Sequence, residues 1–107
     1  DGRLLHIVDD LKECGVSVHA PQLRANTLEG IVRAYKGKMC VDLDLDRQAF
    51  PFYEPEAIRS QIKWAVEGLH LPEGGLMMKA EIYGPDIALG VIEAICQAME
   101  DFCIGRK

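Results

Sequence analysis

Hydrophobic positions recur along the chain with two different periods, and the two periods alternate. Leu4, Leu5, Val8 and Leu11 fall at helical spacing, and Gly15 closes the run because glycine tolerates the left-handed conformation that ends many helices. "VSVHAPQ" then changes to a period of two, with Val16, Val18 and Ala20 opposed to Ser17 and His19, and Pro21 suits only the end of a strand. Thr27 is placed to cap a helix whose apolar stripe is Leu28, Ile31, Val32 and Tyr35, ended by Gly37. In "CVDLDLDRQAFPF", residues 40 to 52, Val41, Leu43 and Leu45 share one face of a strand while Asp42, Asp44 and Asp46 share the other. "EPEAIRSQIKWAVEGL" has Pro55 in a first-turn position and Ile58, Ile62, Ala65, Val66 and Leu69 as a buried stripe, with Trp64 expected in the core. After the "PEGG" break, "LMMKAEI" sets Leu76, Met78 and Ala80 against Met77, Lys79 and Glu81. Asp86 is placed to cap a last helix lined by Leu89, Ile92, Ile95, Met99 and Phe102.

The order is αβαβαβα, three strands and four helices in one domain spanning residues 1–107. Strands separated by helices cannot be joined by tight hairpins, so the sheet is expected to be parallel with right-handed crossovers, and the class α/β. An ordinary doubly wound sheet, covered on both faces, has nearly continuous apolar strands. These strands instead put apolar residues on one parity and polar ones on the other. Two architectures accommodate that: an open two-layer sheet whose polar face meets water, and a segment of a (β/α)₈ barrel whose polar face lines the interior. Asp46, Arg47, Gln48 and Glu81 fall together at strand C-terminal ends, where α/β proteins bind ligands.

Charge and cysteine content narrow the functional classes. The net charge of -5 comes with scattered lysines and arginines, which argues against nucleic acid as a partner. No apolar run approaches the roughly 18 residues of a membrane span, and the first residues are not a basic-then-apolar leader, so a cytoplasmic location is expected. Cys14, Cys40, Cys96 and Cys103 have neither CxxC pairing nor short metal-ligand spacing, and their apolar neighbours suggest small buried side chains in a reducing compartment.

Three stretches in order, "DGRLLHIVDDLKECGVSV", "DLDRQAFPFYEPEAIRSQI" and "PEGGLMMKAEIYGPDIALGVIEAI", resemble the C-terminal part of the uroporphyrinogen decarboxylase superfamily, which includes the cobamide-dependent methyltransferases. The resemblance implies a partial (β/α)₈ TIM barrel holding about its last three strands, since a closed barrel takes about 250 residues. It further implies a lyase acting on a porphyrin-type small molecule, or a methyltransferase with a corrinoid protein as partner. The open sheet edges would then be covered by the remaining barrel segment or by a homo-oligomer.

Site residues follow from the same resemblance. Methyltransferase members take two zinc ligands from a His-x-Cys-Gly segment, and Asp1-Gly2 resembles its end, with Asp1 at the cysteine position. A third ligand, a cysteine in methyltransferases, or a histidine in decarboxylases, is replaced here by Glu81. Asp1 and Glu81 are thus candidate ligands of a divalent metal such as zinc, in a set richer in oxygen than the family's. Glu81 and Asp46 are the candidate catalytic residues, Asp46 matching the aspartate of an Asn-Leu-Asp-Pro segment in which Arg47 stands for the proline. Arg47, Gln22 and His19 are the candidate substrate contacts, and Asp46 is placed to orient the Arg47 fork. Three carboxylates on one face must be relieved by cations, for which Lys79 and Arg47 are the candidates. A second reading, from another functional class, is a non-catalytic half-barrel that self-associates as a binding module.

Overall fold

The computed structural model describes residues 2–104. A single turn of 3₁₀ helix at Leu5–Ile7 leads into α1 (Val8–Glu13), followed by β1 (Val18–His19), α2 (Leu23–Asn26), α3 (Leu28–Tyr35), β2 (Cys40–Asp44), a 3₁₀ turn at Phe50–Phe52, α4 (Pro55–Leu69), β3 (Leu76–Lys79) and α5 (Leu89–Met99). The expected αβαβαβα order therefore holds, with one short helix, α2, added between β1 and α3. β1, β2 and β3 form one parallel sheet in that order.

Sequential strand order with same-handed crossovers puts the connecting helices on one face of the sheet. Burial agrees. Val41, Leu43 and Leu45 of β2 and its exit are at most 2% exposed beneath the helices, whereas Asp42 is half-buried and Met77 of β3 is 48% exposed on the other face. The register pairs Asp42 with Met77 and Asp44 with Lys79, so these four share the uncovered face, as the alternation in β2 and β3 predicts. The molecule is 19 Å thick in its shortest dimension, the depth of a sheet carrying one layer of helices about 10–12 Å across.

Strand β1 reverses its expected faces. Val18 pairs with Cys40 and is 48% exposed, while His19 pairs with the buried Val41 and turns toward the helices. The reason is Tyr35, fully buried at the end of α3, whose hydroxyl shares a 2.7 Å hydrogen bond with His19 Nδ1 while the two rings stack with centroids 5.8 Å apart. A two-residue strand at the sheet edge is too short for its own alternation to fix its faces, so this one polar contact decides them.

The helices follow their stripes closely in the middle of the chain. Ile58, Ile62, Ala65, Val66 and Leu69 of α4 are all buried. Thr27 caps α3 by accepting a hydrogen bond from Gly30 N at 3.1 Å, and does so at φ 63°, a strained backbone for a β-branched residue that lets α2 end and α3 begin at one position. Three expectations are corrected. Trp64 is 46% exposed, because it lies off the α4 stripe. Cys14, Cys96 and Cys103 are exposed and Cys40 is half-buried, so the expected burial of the cysteines does not hold. α5 begins after Ala88 with no side-chain cap from Asp86, and its buried residues are Val91, Ile95 and Ala98, leaving Leu89 69% exposed. Among the described residues no helix is long and apolar enough to cross a membrane.

Candidate functional site

The C-terminal ends of the three strands open onto two loops, residues 45–54 after β2 and 80–88 after β3. Arg47 joins them. Its Nη1 donates to Glu81 Oε2, reaches Tyr83 Oη at 3.4 Å and stands 3.7 Å from Asp44 Oδ2, and its guanidinium carbon lies 5.2 Å from the Tyr83 ring centroid. Tyr83 Oη also donates to Glu81 Oε2. The Tyr83 hydroxyl, followed by the positive charge of Arg47, holds the Glu81 carboxyl below its ordinary range, and the same bond to a carboxylate pushes the Tyr83 phenol up. Glu81 is accordingly an ionised, anchored carboxylate at neutral pH.

Asp44 has the opposite environment. It is 7% exposed, its Oδ1 is buried with no hydrogen-bond partner among the described residues, and burial raises its pKa more than Arg47 lowers it. Glu81 and Asp42 add to the upward shift while Lys79 opposes it. The expected relief of the acidic face is present: Lys79 Nζ lies 3.9 Å from Asp42 and Arg47 lies 3.7 Å from Asp44. Two carboxyl groups, one with its pKa lowered and one with its pKa raised, thus flank a single guanidinium.

Sequence-predicted residues meet here in two groups. Gln22, Asp46 and Arg47 line one cavity of about 210 Å³ together with Asp44, and Arg47 and Glu81 line a neighbouring cavity of about 370 Å³ with Tyr83. Asp46 does not orient Arg47. Its Oδ1 accepts from Arg24 Nε at 2.9 Å, because α2, which the sequence pattern did not reveal, brings Arg24 beside the strand end. Gln22 Oε1 accepts the Gly2 N–H at 3.1 Å, and the buried Asn26 donates to the Gly2 and Gln22 carbonyls at 3.0 Å each while accepting from Leu4 N at 2.9 Å. These bonds fasten the start of the described chain to the rim of the site. His19 stands apart from the cluster, turned under the helices against Tyr35.

The sequence reading missed Tyr83, Arg24 and Asn26. Tyr83 carried a usable signal, since it lies two residues beyond Glu81 and so on the same side of an extended segment. For metal binding, Asp1 lies outside the described residues, and among those described no group of three His, Cys, Asp or Glu side chains is arranged to hold an ion. Glu81 is already committed to two donors. The described residues alone therefore do not fit a zinc site. A further cavity of about 430 Å³ sits at the opposite, N-terminal ends of the strands around Ser17, Met39 and Gly75, away from this cluster.

Comparison with known proteins identifies no relative: the chain matches no family model, no curated protein and no solved structure.

Proposed function

We propose that this chain is the C-terminal segment of a uroporphyrinogen-decarboxylase-like (β/α)₈ barrel, a cytoplasmic enzyme acting by decarboxylation or corrinoid-linked methyl transfer at the barrel mouth. The observation that carries the proposal is a parallel sheet in sequential strand order, with helices on one face and Asp42, Asp44 and Lys79 on the uncovered one. In a closed singly wound barrel that face becomes the interior, and the C-terminal strand ends become the mouth. Among the described residues no strand pairs with the outer edge of β1 or of β3, which leaves both for further strands. The resemblance of the three sequence stretches supplies the family, and Arg47, Glu81 and Tyr83 supply a preorganised polar group where that family's chemistry takes place.

Within this reading the carboxyl groups divide the work. In decarboxylation the bond from the carboxylate carbon breaks, carbon dioxide leaves, and the electron pair left behind takes a proton. Asp44, whose pKa burial raises, is the group suited to deliver that proton, and the anchored anion of Glu81 to orient the substrate or stabilise positive charge developing on it. Asp46, held by Arg24, shapes the adjoining cavity.

Replacing Glu81 with Ala in the complete enzyme should abolish turnover, with the far-ultraviolet circular dichroism and unfolding midpoint unchanged. Unchanged turnover would sink the role of Glu81. The self-associating half-barrel is distinguished by light scattering after size exclusion: a defined, stable oligomer of residues 1–107 that binds ligand without turnover favours the binding module.

A further inference from the structure

Phe52 is 86% exposed and Tyr83 78% exposed, and both rings wall the 370 Å³ cavity between the loops that follow β2 and β3. Exposed apolar side chains scattered singly need no explanation, but two aromatic rings on one concave, polar-floored surface at the strand C-terminal ends mark a binding site. The charge of that surface restricts what it can bind. Arg47 is the one cation in the lining, and its guanidinium is already given to Glu81, with Asp44 also within 3.7 Å. Asp86 lines the same cavity and has no ion pair among the described residues. Negative charge is therefore in surplus beside two aromatic faces, which favours a cation there. Aromatic faces attract cations through the ring quadrupole, and the Arg47 guanidinium 5.2 Å from the Tyr83 centroid is an internal instance of that contact.

We infer that this cavity binds a small organic cation, an ammonium group on a compact apolar body, held against Phe52 and Tyr83 with Asp86 as the counter-charge. The inference rests on reading the strand C-terminal ends as the ligand site and is independent of which reaction takes place there.

The probe is choline, measured by titration calorimetry on the complete protein against its uncharged isostere 3,3-dimethylbutan-1-ol. Choline should bind about two- to fivefold more tightly than the isostere, the difference a cation–π contact at exposed rings supplies. Phe52→Ala and Asp86→Asn should each weaken choline several-fold, and both sites are exposed, so neither change disturbs packing. Leu89→Ala, an equally exposed apolar change elsewhere, should leave choline binding unaltered. Equal affinity for the two probes, absence of choline binding, or indifference to Phe52→Ala and Asp86→Asn would each overturn the inference. Loss of turnover in Glu81→Ala alongside any of those results would refute the cation site alone. Retained turnover in Glu81→Ala would refute the assigned role of Glu81 whatever choline does.

Discussion

Asp44 is the residue at which burial and charge conflict most directly. Its folded pKa lies above the ordinary 3.8, so the native state holds the proton more readily than the unfolded chain. The stability this lends is complete below the unfolded value and is lost as pH rises through the folded one. Asp44→Asn, which removes a buried charge with an unpartnered oxygen, should raise stability at pH 7 by about 1 kcal/mol in urea titration while lowering turnover. A fall in stability would mean that the contact with Arg47 outweighs desolvation. His19 shows the reverse sign. Burial lowers its pKa from 6.5, so its contribution is present above that value and is lost as pH falls below it through the folded value. The urea midpoint should therefore drop as pH falls below about 6.5, more steeply than in His19→Gln. Parallel profiles for the two proteins would exclude His19 as the group responsible.

At the scale of elements, periodicity specified α4 well and α5 poorly, and the contrast has a physical cause. α4 is amphipathic, with Arg59, Lys63 and Glu67 on its outer side, so only one rotation buries its apolar stripe. α5 is apolar over much of its circumference, and its rotation is set by what it meets: α4 on one side, and the Arg59 guanidinium 4.7 Å from the Phe102 ring just beyond its end. Ile95→Ala should cost about 2–5 kcal/mol and Leu89→Ala less than about 0.5 kcal/mol. Urea midpoints of the two variants check this directly, and equal losses would mean that Leu89 is covered. The short strand β1 teaches the same lesson, for two residues of alternation were overruled by one buried tyrosine.

For the whole molecule, the uncovered face and the open edges belong together. Val18 and Met77, each 48% exposed, lie on a face that also carries Asp42, Asp44 and Lys79, and among the described residues β1 and β3 each present an unpaired outer edge. Parallel edges exposed in this way recruit other chains. If the barrel reading is right, residues 1–107 alone should associate heterogeneously in light scattering, and co-expression with the segment bearing the missing strands should yield a discrete one-to-one complex. A monodisperse monomer of residues 1–107 would argue that the open sheet is complete in itself.

From sequence alone came the alternation of helices and strands, the parallel sheet, the sorting of β2 and β3 into an oily and an ionisable face, and the gathering of Asp46, Arg47 and Glu81 at the strand ends. These follow from local periods and from the short range over which a chain can reverse. Which carboxylate meets which cation did not. Arg24 takes Asp46 because an unsignalled helix brings it there, Glu81 takes Arg47 across 34 residues, and Tyr83 completes the group from the end of β3. Such partnerships depend on the approach of separate loops in three dimensions, and period and composition carry no record of that approach.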